Sequence, residues 1–208
     1  MAVWKEQATT IPVPGEDRVL EGVWQAGGRG GAVIAPPHPK FGGSLENPVV
    51  NEIAYGLHKA DTPSLRFNWR GVGGSQGAIT GASEAADIDY RAALEQIFET
   101  TGRPIFACGY SFGAVAALRV ALADPRIERV ILVAPPVAML ADVPLEDLRR
   151  PLHVISGAHD ELSPAAELSG RLAELPTAQL ELLPGIDHFF MSGGLAQIAE
   201  FVRSAADA

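Results

Sequence analysis

Cysteine is nearly absent from this chain, since Cys108 is the only one among 208 residues. One cysteine cannot form an intramolecular disulfide, and such sparse usage is typical of proteins from a reducing compartment. No group of His and Cys residues has the spacing of metal ligands, so we expect neither a metal nor another cofactor. Cys108 follows apolar residues and is interpreted as a small core residue rather than a reactive thiol.

Basic residues are also few, because 16 Lys and Arg face 25 Asp and Glu, a formal net charge of −9. Nucleic acids and anionic membranes call for basic patches, so we expect neither as a partner. Apolar runs such as residues 130–134 end at Pro135 and are too short to span a bilayer. The first residues lack a basic region followed by an apolar stretch, and we expect a soluble, cytoplasmic protein. A homodimer is compatible with this class of protein, although no apolar stripe identifies an interface.

Strand-like and helix-like segments alternate along the chain, which indicates a mostly parallel sheet with helices on both faces. The predicted strands are residues 18–25, 32–35, 64–68, 104–108, 129–133, 152–156 and 179–183, and an antiparallel pairing is one option for the first. Two predicted helices cover residues 48–59 and 114–122. Ser83 would cap a third helix, Ser163 would cap a fourth that runs to about residue 175, and a fifth begins at about residue 194. Residues 135–151 are too few for a large cap, so we predict one α/β domain over residues 1–208 with an open site.

The segment Gly109-Tyr110-Ser111-Phe112-Gly113 lies between a predicted strand and a predicted helix. A serine on such a sharp turn needs small neighbours, because its backbone is strained and bulky side chains would clash. The turn exposes the serine hydroxyl at the end of the strand and directs the N–H of the next residue at an incoming oxygen. We therefore predict Ser111 as a nucleophile and Phe112 as a donor to an oxyanion.

A nucleophilic serine needs a base, and three histidines follow Ser111. His153 alternates with apolar residues within a predicted strand, which indicates a structural role. His159 adjoins a candidate acid and is poorly placed to bond to its neighbour's side chain. His188 lies in the loop after the last predicted strand, at the same sheet edge as Ser111, and is predicted to be the base.

The base in turn needs a carboxylate that fixes its tautomer. Asp160 comes just after the strand at 152–156, where a carboxylate can turn inward toward His188. Glu161 is the competitor, with solvation of a first helical turn as its alternative role. Asp187 is excluded because adjacent residues seldom bond side chain to side chain. Asp160 is the predicted acid.

A second oxyanion donor is expected from the loop at 36–43, in which three prolines lack an N–H. His38, Lys40 and Phe41 keep theirs, and we choose the backbone of His38. The side chain of His38 either lines the pocket or faces solvent. The glycine-rich loop at 70–77 lacks the Gly-Lys-Ser/Thr ending of a phosphate-binding loop and is interpreted as a structural turn.

With these residues in place, the chain resembles the α/β-hydrolase superfamily, and in particular its small, cap-free bacterial branch near dienelactone hydrolases and short carboxylesterases. The resemblance covers nearly the whole length and lies in the segments 37–43, 65–73, 109–113 and 187–190. That branch usually has His-Pro-His-Pro in the first segment, whereas Pro36 replaces the first histidine here.

The resemblance implies ester hydrolysis through an acyl-enzyme, with Ser111, His188 and Asp160 as a triad. Without a cap we expect a shallow acyl pocket lined by Phe41, Tyr110 and Phe112, and small or short-chain esters as substrates. A thioesterase or amidase would use the same residues, and a catalytically idle binding scaffold would keep only the fold.

Overall fold

Eight strands form one sheet in the computed structural model, which describes residues 5–208. The strands are β1 (Glu6–Pro12), β2 (Val19–Gln25), β3 (Gly31–Ala35), β4 (Ser64–Phe67), β5 (Ile105–Tyr110), β6 (Ile127–Val133), β7 (Leu152–Gly157) and β8 (Ala178–Leu183). Their order across the sheet is β1-β2-β4-β3-β5-β6-β7-β8. Strands β3 to β8 are parallel, and β2 is antiparallel to both of its neighbours. The fold class is therefore the one predicted; residues 1–4 of the predicted domain lie outside the described part.

In residues 5–208, five α-helices cover the two faces of the sheet. They are α1 (Pro48–Lys59), α2 (Ser83–Thr101), α3 (Phe112–Ala123), α4 (Ala165–Leu172) and α5 (Leu195–Asp207). Apolar residues of α1 and α5 share one core with one face of the sheet, and those of α2, α3 and α4 share a second core with the other face. Because both faces are covered, the central strands β3 and β5 are buried along their whole length, which explains their continuous apolar sequences.

Two predicted helix caps are each wrong by one residue. Helix α2 begins at Ser83 itself, and Ala82 occupies the cap position without a side-chain hydrogen bond. Helix α4 begins at Ala165, after Pro164, and the hydroxyl of Ser163 donates to the carbonyl of Pro135 at 2.6 Å. Helix α4 also ends at Leu172, earlier than predicted.

The loops next to the sheet differ from the predictions in two places. The predicted non-helical loop after β3 contains a 3₁₀ turn, Pro39–Phe41, in which Pro39 stands at the first position, where no N–H is needed. Strand β1 was not predicted, because it lies at the sheet edge and most of its side chains are exposed.

No large cap covers the carboxyl end of the sheet in residues 5–208. The connection between β6 and β7 forms two 3₁₀ turns, Val137–Leu140 and Leu145–Asp147. Leu140, Leu145 and Leu148 of this connection are buried in the core beside α3. Within the described range, no helix is long and apolar enough to cross a membrane.

Candidate active site

Ser111 stands between β5 and α3 with a strained backbone, φ 56° and ψ −120°. A positive φ is rare for a residue with a side chain. The glycines on either side permit this turn: a Cβ on Gly109 would lie 2.3 Å from the carbonyl oxygen of Gly113, and one on Gly113 would lie 2.4 Å from those of Ala35 and Pro36. The predicted need for small neighbours thus has a steric basis on both sides.

Three side chains from three different strand ends form a continuous hydrogen-bonded chain. The Oγ atom of Ser111, after β5, lies 2.9 Å from Nε2 of His188, which follows β8. Nδ1 of His188 lies 2.8 Å from Oδ2 of Asp160, which follows β7. All three side chains are buried. This arrangement can pass the serine proton to the imidazole while a carboxylate stabilises the resulting cation.

The carboxylate of Asp160 is fixed by bonds from its own loop as well as from His188. Its Oδ1 atom accepts the backbone N–H groups of Leu162 and Ser163, each at 2.8 Å. Its Oδ2 atom also accepts the hydroxyl of Ser156 at 3.3 Å. With only 3 % of Asp160 exposed, these bonds compensate for the burial of a charge.

Tyr110 holds the loop that carries His188. Its hydroxyl donates to the backbone carbonyl of His188 at 2.9 Å, and the two rings stack with centroids 5.7 Å apart. Burial, together with the charges of Asp160 and Asp187, raises the pKa of Tyr110, so the hydroxyl stays a donor. This contact was missed by the sequence reasoning, which placed Tyr110 in the pocket wall. No sequence signal links a tyrosine to a backbone oxygen 78 residues away.

The loop after β3 leaves one of its three candidate donors unused. Lys40 donates its N–H to Nδ1 of His38 at 3.2 Å, and Phe41 donates its N–H to the carbonyl of His38 at 3.0 Å. The N–H of His38 has no acceptor among residues 5–208. The same is true of Phe112, the first residue of α3. These two N–H groups are available to a developing oxyanion.

Ser111 borders two adjoining cavities, called the larger and the smaller lobe, and His38, Phe41 and Leu162 also line both. The larger lobe, about 510 Å³, has walls that include Phe112 and a mainly apolar set of residues: Pro136, Val137, Ala138, Met139, Leu162 and Pro164. The smaller lobe, about 370 Å³, is lined by residues that include Tyr110, His188 and Phe189. Phe41 is 87 % exposed and Phe189 67 % exposed, so both form an open rim rather than a closed wall.

The imidazole of His38 lines the cavity, which was one of its two expected positions. Its ring lies 4.7 Å from that of Phe41 and 4.8 Å from that of Phe112. Burial lowers the pKa of His38, and the nearby Lys40 lowers it further. The neutral ring suits its role as acceptor for the N–H of Lys40.

The other candidates lie apart from this chain of bonds. His153 is buried in β7, where burial and the charge of Arg129 lower its pKa, and His159 is exposed. Glu161 lines the larger lobe, but its carboxylate makes no bond to a histidine among residues 5–208. Asp187 accepts the N–H of Phe189 and caps its own loop.

Trp69 is a further residue of the site that the sequence did not single out. Its Nε1–H donates to the carbonyls of Pro36 and Pro37 at 3.1 and 3.0 Å. Its ring meets those of Phe67 and Phe112 edge to face. Cys108 is fully buried, and burial raises its pKa, so the thiol is a core residue as expected.

Comparison with known proteins places this geometry among hydrolases. A family model described as serine aminopeptidase, S33, matches residues 47–150, half of the chain. An α/β serine hydrolase homologue from Coxiella burnetii is 27% identical, over 98% of this chain and 99% of its own, with a TM-score of 0.87. A serine hydrolase without lid from Xanthomonas campestris is 25% identical, over 98% and 94%, with a TM-score of 0.84. A dienelactone hydrolase from Anabaena variabilis, 19% identical over 97% and 96%, with a TM-score of 0.80, shares the fold.

Proposed function

Because this chain belongs to the hydrolase family described as serine aminopeptidase, S33, and has the fold of small α/β-hydrolases without a large cap, we propose that it hydrolyses small or short-chain carboxylic esters through an acyl-enzyme. The observation that carries the proposal is the bonded chain from Ser111 through His188 to Asp160, at 2.9 and 2.8 Å. These distances are those of a nucleophile, its base and the acid that orients the base.

In the acylation step, Oγ of Ser111 attacks the ester carbonyl carbon while its proton passes to Nε2 of His188. The carbonyl electron pair moves onto oxygen, and Asp160 stabilises the imidazolium that forms. When the tetrahedral intermediate collapses, the C–O bond to the alcohol breaks. His188 then gives its proton to the departing alcohol oxygen, which leaves the acyl group on Ser111.

Deacylation repeats these steps with water as the nucleophile. His188 takes a proton from the water as its oxygen attacks the acyl carbon, and it returns this proton to Oγ of Ser111 as that bond breaks. The products are a carboxylic acid and the free enzyme. In both steps the oxyanion would be held by the N–H groups of Phe112 and His38, which have no other acceptor among residues 5–208.

The two lobes suggest where the parts of the ester bind. Protonated His188 must reach the leaving oxygen, and it lines the smaller lobe, so the alcohol would occupy that lobe. The acyl group would then lie in the larger lobe against Phe112, Val137 and Met139. Because the rim is open at Phe41, a long acyl chain would extend into water and gain little further burial. This supports a preference for short acyl groups.

Amide hydrolysis is a second candidate, because the matching family is described as serine aminopeptidase and an aminopeptidase cleaves amide bonds. An amide or a thioester would use the same nucleophile and base and would differ only in the leaving group. Rates measured on a matched series of ester, thioester and amide with one acyl group separate the three. A ratio of kcat/KM that favours the ester supports our proposal.

The experiment that tests the proposal replaces the nucleophile. Ser111→Ala should lower kcat on para-nitrophenyl butyrate by about 10³-fold or more, because a triad serine has no substitute. The matched control is Ser169→Ala, on the helix α4, which lies outside the cavity lining. A loss of less than about tenfold in Ser111→Ala would contradict the assignment.

Covalent labelling distinguishes an enzyme from an inert scaffold. A fluorophosphonate probe should label the protein, and the label should be found on Ser111 by peptide mass spectrometry. Absence of labelling in the folded protein would favour a binding scaffold that kept only the fold.

A further inference from the structure

Trp69 is buried beneath the loop that follows β3, with only 2 % of its surface exposed. Its indole N–H is shared between the carbonyl oxygens of Pro36 and Pro37, at 3.1 and 3.0 Å. Its ring centroid lies 5.5 Å from that of Phe112, the residue after the proposed nucleophile. The indole therefore contacts both segments that would supply oxyanion donors.

The bond from Trp69 to Pro37 also determines how the next N–H is directed. The carbonyl of Pro37 and the N–H of His38 belong to one peptide unit, and the only cis peptide among residues 5–208 is Arg103-Pro104. In a planar trans peptide the C=O and the N–H point in opposite directions. When Trp69 holds the oxygen of Pro37, the N–H of His38 must point away from the indole.

Trp69 is the one donor to either proline carbonyl within residues 5–208. The neighbouring carbonyl of His38 is held separately, since it accepts the N–H groups of Phe41 and Gly43. These bonds of the 3₁₀ turn fix the peptide that follows His38. Among residues 5–208, the peptide that joins Pro37 to His38 is hydrogen-bonded by the indole alone.

We propose that Trp69 is a positioning residue that orients the Pro37–His38 peptide so that the N–H of His38 meets the oxyanion of the reaction. The inference rests on the proposed function, because an oxyanion forms only if Ser111 acts as a nucleophile. The N–H of His38 would stabilise the transition state more than the bound ester, since the carbonyl oxygen of the ester gains negative charge as the tetrahedral intermediate forms. Loss of the indole N–H should therefore lower kcat and leave KM nearly unchanged.

The test is Trp69→Phe, which keeps an aromatic ring beside Phe67 and Phe112 but has no N–H. The matched control is Trp24→Phe, because Trp24 lies on β2, packs against the core and is not a lining residue of either lobe. Removal of one oxyanion donor costs about 10²–10³ in kcat, and a misdirected donor should cost at least about tenfold. We expect Trp69→Phe to lower kcat on para-nitrophenyl butyrate by about 10- to 10³-fold, with KM within about threefold of the control.

A transition-state analogue provides a readout that simple packing would not move. An alkyl trifluoromethyl ketone adds to a serine hydroxyl and forms a tetrahedral oxyanion, so its inhibition constant should rise by about the same factor as kcat falls. If kcat in Trp69→Phe stays within about threefold of Trp24→Phe, or if the loss appears in KM alone, the proposal is overturned. An unchanged inhibition constant would overturn it as well.

A second variant covers the case in which Trp69→Phe does not fold. Incorporation of β-(3-benzothienyl)alanine at position 69 keeps the bicyclic shape and replaces the N–H with sulfur, and the same three measurements then apply. The Ser111→Ala variant separates the two proposals. If Ser111→Ala stays active, the proposed function fails; if it is inactive while the variants at position 69 behave as the control, only the role of Trp69 fails.

Discussion

Replacing Asp160 with asparagine should stop catalysis without unfolding the protein, because the structure allows only one orientation of the new amide. The Oδ1 position accepts N–H groups from Leu162 and Ser163, both at 2.8 Å. An amide nitrogen cannot accept these bonds, so the amide oxygen must take the Oδ1 position. The NH₂ group then occupies the Oδ2 position, 2.8 Å from Nδ1 of His188.

An NH₂ donor at that position reverses the polarity of the imidazole. Nδ1 of His188 must become the acceptor, so the ring proton moves to Nε2 and faces Oγ of Ser111, 2.9 Å away. A protonated Nε2 cannot take the serine proton. The corresponding substitution in Ser-His-Asp triads costs about 10⁴ in kcat, or about 5.5 kcal/mol in activation free energy, and we expect a loss of this order.

The free energy of unfolding should change little in the same variant. Oγ of Ser156, 3.3 Å from the Oδ2 position, can rotate and accept a bond from the NH₂ group. The NH₂ group and Oγ of Ser156 then still share a hydrogen bond, and we expect a change within about 1 kcal/mol. Urea unfolding and kcat on para-nitrophenyl butyrate measure the two effects on one preparation.

Asp187→Asn is the matched control, since it makes the same chemical change one residue before His188. An asparagine oxygen at 187 can still accept the N–H of Phe189, which the carboxylate accepts at 2.8 Å. Its kcat should stay within about threefold of the unmodified protein. A loss of less than about tenfold in Asp160→Asn, or an equal loss in Asp187→Asn, would refute the reasoning.

Two further substitutions test the surroundings of the site. Tyr110→Phe leaves the buried carbonyl of His188 without its donor, so the free energy of unfolding, measured in urea, should fall by about 1–3 kcal/mol. The value of kcat should also fall, because the loop that carries His188 is held less firmly. Unchanged stability would contradict this prediction. Burial and the charge of Arg129 lower the pKa of His153 in the folded protein from its ordinary value of 6.5. Below pH 6.5 the unfolded chain therefore binds a proton at this histidine more readily than the folded protein does. The free energy of unfolding falls as the pH drops. In His153→Gln the fall in stability between about pH 7 and pH 5 should be smaller, as urea titrations at both values would show; an equal fall would exclude this role.

The sequence predicts that Ser111, His188 and Asp160 lie together at one sheet edge because their signals are local, and the structure brings the three side chains within hydrogen-bond distance. Small residues around Ser111 reflect the close approach of the backbone at Gly109 and Gly113. The other two residues lie in the loops after predicted strands, and parallel strands bring their carboxyl ends to one sheet edge. Sheet geometry then brings together residues that are 28 and 77 positions apart.

Contacts to backbone oxygens could not be predicted in this way. The hydroxyl of Tyr110 and the indole of Trp69 each donate to a carbonyl that any residue could supply, so the partner leaves no trace in composition or spacing. The same applies to Ser163, which has the sequence of a helix cap but bonds to Pro135 instead. Strand β1 escaped prediction because an edge strand with exposed side chains lacks the apolar pattern of the central ones.

The strand that leads into Ser111 also carries the one thiol of the chain. Cys108 is inaccessible in β5, and burial raises its pKa, so an alkylating reagent can react only after β5 has separated from α1 and its neighbouring strands. The native sequence therefore contains its own reporter of sheet opening, with no engineered label. The rate of modification at this sulfur would measure how often the centre of the molecule becomes exposed, independently of any assay of its chemistry.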